Sequence, residues 1–141
     1  MKVLGFNFDK LNAEKIKARP ENLKISTNID IAEIKDLKNE VLKTKEDLIQ
    51  VSFSYTVKYD PGFVEINLKG NILLSLDEKL AKDVLKEWKK KKMPESFRVS
   101  LFNIILRKAT VKALELEDEL NLPLHMPLPS IRPGSQSGNE K

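Results

Sequence analysis

The sequence predicts an α+β domain: a four-stranded antiparallel sheet, then a short Lys-rich helix and a long helix packed on one sheet face, then a Pro-rich apolar segment. Through residues 4–76 apolar and polar side chains alternate, which is typical of strands with one buried face. Through residues 80–120 apolar side chains recur every three or four residues, which is typical of helices. We expect residues 1–131 to form a single domain and residues 132–141 to be a disordered tail.

Four segments carry the alternating pattern. The first runs from Leu4 through Phe8 and continues past a bulge to Ala13. The apolar positions of the second segment are Leu23, Ile25, Thr27, Ile29 and Ile31. Those of the third are Ile49, Val51, Phe53, Tyr55, Val57 and Tyr59, and those of the fourth are Val64, Ile66, Leu68, Ile72, Leu74 and Leu76. The charged residues 35–47 lack a strict period and are interpreted as a connection.

A turn at residues 60–62 joins the third and fourth segments, because Pro presets φ and Gly accepts a positive φ. The two apolar faces can only meet in one register, which places Tyr59 opposite Val64 and Val57 opposite Ile66. Gly70 falls on the apolar face, where a glycine indicates a bulge or the close approach of another backbone.

Two helices follow the sheet. Ser75 or Asp77 caps the first, whose apolar stripe is Leu80, Ala81, Val84, Leu85 and Trp88. Pro94 suits the first position of the second helix, which runs to about Leu120. Between Val99 and Leu106 its apolar residues cover more than one stripe, so we expect two different neighbours to cover it.

Residues 122–131 are apolar but contain three prolines, which exclude a helix and a central strand. An extended form close to polyproline II remains. Because free apolar side chains would be left in water, we expect this segment to be ordered and docked in a groove, its own or a neighbour's.

The residues offer little for catalysis. The absence of cysteine excludes disulfides, thiolate nucleophiles and Cys-ligated metals. His125 is the single histidine and is interpreted as a surface or packing residue. The carboxylates Glu115, Glu117, Asp118 and Glu119, near a helix end where the macrodipole disfavours them, are interpreted as an exposed acidic patch. We therefore expect no enzyme, cofactor or metal site.

Lysines crowd one stretch of this chain, whose net charge is +4. The simpler interpretation is a solvated helix face, and the alternative is a phosphate contact with nucleic acid through Lys82, Lys86, Lys89, Lys90, Lys91 and Lys92. The Lys- and Glu-rich composition is typical of thermophile surfaces. With no apolar run of ~18–20 residues and no secretory signal pattern, we expect a cytoplasmic protein without a membrane span.

The order of elements resembles the SecB family of export chaperones, and also small archaeal proteins of SecB-like pattern. The stretches that carry the resemblance are the turn at residues 60–62, the helix from residue 94 onward and residues 122–129. It implies a four-stranded sheet carrying a long helix, in an oligomer that binds unfolded chains in apolar grooves. SecB is acidic whereas this chain is basic, so the translocase partnership of SecB is not implied.

These observations favour a non-enzymatic, self-associating protein that binds extended apolar segments of unfolded or partner proteins. The residues predicted to make that contact are Leu122, Leu124, Met126, Leu128, Ile131, Phe97 and Phe102. A nucleic-acid or ribosome-associated protein acting through the Lys79–Lys92 helix is the alternative, and a scaffold subunit is the third.

Overall fold

The computed structural model describes residues 1–16, 21–37 and 46–134. Four strands and two helices follow one another: β1 (Lys2–Lys15), β2 (Lys24–Leu37), β3 (Glu46–Asp60), β4 (Val64–Asp77), α1 (Glu78–Trp88) and α2 (Glu95–Glu119). The strands form one antiparallel sheet in the order β1-β4-β3-β2, and the helices pack on one of its faces. The predicted α+β class is confirmed. Consecutive strands β1 and β2 occupy opposite edges of the sheet.

The end of β2 and the start of β3 extend further than the alternating pattern predicts. The predicted connection over residues 35–47 is wrong at both ends, since β2 continues to Leu37 and β3 begins at Glu46. Charged side chains are tolerated there because Lys35, Asp36 and Glu46 lie exposed. Residues 38–45 and the part of the predicted disordered tail beyond residue 134 lie outside the described residues.

The central hairpin has the predicted register. Tyr59 pairs with Val64 and Val57 with Ile66, so the apolar faces of β3 and β4 coincide. The Asp60–Pro61 peptide bond is cis, and Gly62 has a φ of 57°. All the apolar positions predicted for these two strands are buried, and they form the centre of the core.

Gly70 marks a close approach between strands, as its position predicted. A Cβ atom built there would lie 2.2 Å from the carbonyl oxygen of Asn7 on β1 and 3.0 Å from the ring of Phe53. The register of β1 shifts between Phe8 and Lys10, next to this contact, which confirms the predicted bulge. Phe6 and Phe8 pack beside Phe53, with ring centroids 5.2 and 6.2 Å away.

The helices cover the apolar face of the sheet. The side chain of Asp77, rather than Ser75, caps α1 by accepting a hydrogen bond from Leu80 N at 2.7 Å. The buried positions of α2 recur at every fourth residue: Phe97, Leu101, Ile105, Ala109, Ala113 and Glu117. At 3.6 residues per turn, such a line turns about 40° around the helix at each step. The surface of α2 that faces the sheet therefore changes along its length, and Val99, Leu106 and Val111 stay exposed.

Neither α1 nor α2, the two helices of the described chain, is long and apolar enough to cross a membrane.

Candidate functional site

An apolar groove follows the β2 side of α2. The core-face residues of β3 and β4 are buried, whereas on β2 Ile34 is buried, Ile25, Ile29 and Ile31 are only half-buried, and Thr27 is exposed. The cover provided by the helices therefore ends before it reaches the edge of the sheet. We call the resulting depression the edge groove.

The edge groove contains two pockets. The His125 pocket, of about 480 Å³, is lined by Thr27, Tyr55, Leu106, Arg107, Thr110, Val111, His125 and Met126. The Trp88 pocket, of about 320 Å³, is lined by Ile29, Asp30, Ile31, Trp88, Lys91, Met93 and Phe102. Arg107 adds a positive charge to the His125 pocket, Lys91 and Asp30 bring charges of opposite sign to the Trp88 pocket, and apolar side chains make up much of the remaining lining.

The chain reaches the His125 pocket through a tight reversal at the end of α2. Asn121 adopts a left-handed φ of 55°, and the N–H of Leu122 donates to the carbonyl oxygen of Glu117 at 2.8 Å. The N–H of Asn121 donates to the carbonyl oxygen of Asp118 at 3.2 Å. This pair of bonds is the Schellman arrangement, with Asn in the position that glycine usually takes. It turns residues 122–126 back toward β3.

Glu117 and His125 form an enclosed pair at the floor of the pocket. The side chain of Glu117 is 0% exposed and that of His125 is 4% exposed. Glu117 Oε2 lies 2.6 Å from His125 Nδ1, and Glu117 Oε1 accepts a hydrogen bond from the backbone N–H of His125 at 2.8 Å. The carboxylate of Glu117 therefore contacts both the main chain and the ring of His125.

Two tyrosines of β3 extend this hydrogen-bonded chain. The Tyr55 hydroxyl lies 2.9 Å from His125 Nε2 and 3.4 Å from Thr110 Oγ1, while the Tyr59 hydroxyl donates to the carbonyl oxygen of Pro123. Burial raises the pKa of both tyrosines above 10, and the negative charge of Glu117 raises each further. Both hydroxyls therefore stay protonated at neutral pH and can donate.

The position of Glu117 is unfavourable for a carboxylate in two respects. It is fully buried, and it lies in the last turn of α2, where the helix dipole repels negative charge. A buried charge is tolerated only when it is paired and hydrogen-bonded. Residues 122–126 supply those partners, so the carboxylate and this segment depend on each other.

No protein-family model and no curated protein matches the sequence. Among solved structures, the chain is similar to the Mycobacterium tuberculosis Rv1957 SecB-like chaperone in complex with a ChAD peptide from the Rv1956 HigA1 antitoxin. The TM-score is 0.54 at 13% sequence identity, over 90% of this chain and 85% of that one. This chain has a SecB-like fold. At such low identity the similarity shows the fold alone.

Within the SecB-like fold, the residues predicted to bind protein divide into three groups. Phe97 and Leu122 are buried in the core. Leu124 and Phe102 are half-buried, and Phe102 lines the Trp88 pocket. Met126, Leu128 and Ile131 are 47%, 56% and 78% exposed. The segment 122–131 is thus docked at its beginning, on its own chain, and exposed at its end.

The predicted basic residues lie together on the outside of α1 and the turn after it. Lys82, Lys86 and Lys89 to Lys92 are all exposed, and Lys82 pairs with Glu78 at 3.1 Å. Lys91 Nζ lies 4.6 Å from the centroid of the Trp88 ring, so this lysine also borders the edge groove.

The acidic cluster at the end of α2 was only partly understood from the sequence. Glu115, Asp118 and Glu119 are exposed as expected, but Glu117 is fully buried and the prediction of an exposed residue is wrong there. His125 is a packing residue, as one of its two interpretations held: its Nε2 is hydrogen-bonded to the Tyr55 hydroxyl, and its Nδ1 lies 2.6 Å from Glu117 Oε2. In the described part of the chain, no three His, Asp or Glu residues lie close enough together to hold a metal ion.

Proposed function

We propose that this protein is a non-enzymatic, chaperone-like protein that binds extended apolar segments of unfolded or partner proteins in the edge groove. The observation that carries the proposal is a groove with exposed apolar side chains, Leu106, Val111 and Met126 among them, beside an edge strand. Apolar surface of this kind is typical of a binding site. A protein of the same fold, the Rv1957 SecB-like chaperone, was solved with a peptide bound, which supports the proposal.

The edge groove fits an extended ligand. Within the described residues β2 pairs only with β3, so the outer edge of β2 offers free backbone donors and acceptors to an added strand. Thr27 borders the His125 pocket and Ile31 the Trp88 pocket. At ~3.3 Å per residue these positions are roughly 13 Å apart. A bound strand would therefore place side chains about four residues apart into the two pockets.

Self-association belongs to the same proposal and uses the opposite edge of the sheet. Val3, Leu4 and Leu11 on β1 are exposed, and in the described part of the chain β1 pairs with β4 alone, which leaves its outer edge unpaired there. A second copy of the chain pairing along β1 would cover these side chains and leave the edge groove open. Measuring the mass in solution tests this, and a monomer at all concentrations would contradict it.

A matched pair of variants on α2 tests the groove. Val111 and Val99 are both exposed on the same helix, but only Val111 lines the His125 pocket. We expect Val111→Asp to weaken binding of reduced, carboxymethylated lactalbumin at least tenfold, because it places a charge where apolar side chains must bind. Val99→Asp should change binding less than twofold. Equal effects of the two variants would contradict the proposal.

A salt series separates this function from nucleic-acid binding by the exposed lysines of α1. Binding of RNA to such a patch weakens steeply as salt rises, because counterions are released on binding. Binding of an apolar client does not weaken in this way. RNA binding that is lost on reversing the charge of Lys89 and Lys90, together with no client binding, would favour the nucleic-acid alternative. A scaffold role would show neither activity.

A further inference from the structure

Part of the wall of the edge groove is an apolar segment from the C-terminal side of α2. Residues 122–126, here called the docked tail, reverse from α2 and place His125 and Met126 in the wall of the His125 pocket. They contain no helix or strand, and the chain bends at His125 and Met126. In its apolar composition and its lack of helix or strand, the docked tail is similar to the class of ligand proposed for the groove.

The contacts that hold the docked tail are the kind a peptide-binding site makes. Two of them reach the main chain: the Tyr59 hydroxyl donates to Pro123 O, and the N–H of His125 donates to Glu117 Oε1. The third is the His125 ring, held between Glu117 and Tyr55. The two contacts with the main chain could be made by a segment of any sequence. Among the polar contacts, only those of the His125 ring require a particular side chain.

These contacts anchor the docked tail at two points. Leu122 is buried in the core and the His125 ring is enclosed, whereas Met126 and the residues after it are exposed. Hydrogen bonds made in the pocket are exchanged for bonds with water when the segment leaves, so each contributes little net stability. Leaving one member of a buried ion pair without its partner is costly, so we expect the tail to leave mainly when another segment takes the place of His125 beside Glu117.

We propose that the docked tail is an internal ligand of the edge groove, and that Glu117 is the group that selects it. This inference rests on the proposed function and extends it to regulation of the same site. When the tail leaves, Glu117, Tyr55 and Tyr59 line the floor of a longer groove. That floor accepts a second extended segment with a main-chain N–H and a His side chain, flanked by apolar residues. Binding of clients is then weakened in proportion to the fraction of molecules whose tail is docked.

A peptide added in trans tests this on the full-length chain. The peptide has the sequence of residues 122–131 with fluorescein at its N-terminus, and its binding is followed by fluorescence anisotropy. We expect the His125→Ala protein to bind it at least about tenfold more tightly than the wild type does, because the altered tail competes poorly for Glu117. The same peptide with alanine in place of histidine should lose that gain.

Charge-matched variants show whether Glu117 is the selecting group. Glu117→Gln removes the charge at the floor of the pocket, and Glu119→Gln makes the same change at an exposed position two residues away. Added to His125→Ala, Glu117→Gln should abolish the tenfold gain, whereas Glu119→Gln should leave it intact. Equal affinity of the peptide for wild type and His125→Ala, or a gain that survives Glu117→Gln, would overturn the inference.

The single histidine allows a second test that needs no variant. In ¹⁵N NMR spectra of the wild type, the ring signals of His125 should move to those of a solvent-exposed ring when unlabelled peptide is added to saturation. If the ring signals stay unchanged with peptide bound, the tail has not been displaced and the inference is wrong, whether or not His125→Ala folds. Lactalbumin binding that fails while the peptide still binds His125→Ala would refute the proposed function and leave the inference standing.

Discussion

Two extended segments pack against α2 in different ways. The strands β3 and β4 bring an unbroken set of apolar side chains beneath the helix, all of them buried. The docked tail brings one core leucine, and otherwise hydrogen bonds around the buried carboxylate of Glu117. Burial of apolar surface is the dominant source of stability, whereas buried polar pairs add little to it but require particular partners. The hairpin therefore sets the stability of the fold, whereas the tail adds contacts that depend on particular partners.

The largest effect should come from the hairpin. Phe53 lies at the centre of β3, beside Phe6 and Phe8, and its truncation to Ala removes a buried ring. We expect Phe53→Ala to lower the free energy of unfolding by ~3–5 kcal/mol in urea titrations. Ser54→Ala, on the opposite face of the same strand, is the control and should change it by less than ~0.5 kcal/mol. A similar change in the free energy of unfolding at both positions would contradict the assignment of Phe53 to the buried face of β3 and Ser54 to the opposite face.

A glycine pair sharpens the comparison within the sheet. Gly70→Ala puts a methyl group 2.2 Å from Asn7 O, so β1 must move away, and we expect a loss of ~1–3 kcal/mol. Gly5→Ala, also in the β1–β4 contact, meets only Leu73 Cβ at an ordinary 3.9 Å. Thermal unfolding of the two variants should therefore differ clearly. A Gly70→Ala protein as stable as Gly5→Ala would mean that β1 can move away from residue 70 without a loss of stability.

The tail should matter less to stability than the hairpin. Tyr59→Phe removes the hydroxyl that donates to Pro123 O while keeping the buried ring, and we expect a loss of about 1 kcal/mol. Hydrogen exchange at the amide of His125 should increase in the same variant, because the docked tail opens more often. A loss as large as that of Phe53→Ala would show that the tail is an integral part of the core.

Alkaline pH distinguishes the two regions through the tyrosines. Burial raises the folded-state pKa of Tyr55 and Tyr59 above their unfolded value of 10.0. The folded state then holds its phenolic protons more tightly than the unfolded state does. The contribution of these two tyrosines to stability is therefore constant below pH 10 and falls as the pH rises above it. We expect the slope of stability against pH above 10 to be shallower in Tyr59→Phe. Unchanged slopes would mean that the hydroxyl ionises freely in the folded protein.

The smallest effect is expected on the outside of α1. Changing Lys89 and Lys91 to Glu should alter the free energy of unfolding by no more than ~0.5 kcal/mol, since both are exposed. Lys91 loses its contact with the Trp88 ring, which the Lys89→Glu single variant controls for. Unfolding followed by circular dichroism is the measurement. A large loss of stability would indicate that this helix face is part of the fold's packing.

The hairpin could be predicted because its alternation is complete: every second side chain of β3 and β4 must leave water together, which allows one register. The charged ends of β2 and β3 could not, because pairing with a neighbouring strand, rather than apolar content, extends them. Glu117 did carry a signal. It continues the spacing of Phe97, Leu101, Ile105, Ala109 and Ala113, although its charge suggested exposure. Its partner comes from the tail, so the pairing depends on a chain reversal that no local pattern in α2 encodes.

The order of the strands has a consequence for how the chain is made. β1 and β2 are synthesised first, yet each finds its only described partner in a strand that comes later, β4 for the one and β3 for the other. On the ribosome, β2 therefore waits for its described partner until residue 60 has been added, and β1 waits until residue 77. For that interval a newly made chain exposes unpaired and partly apolar strand segments, the kind of surface on which aggregation begins.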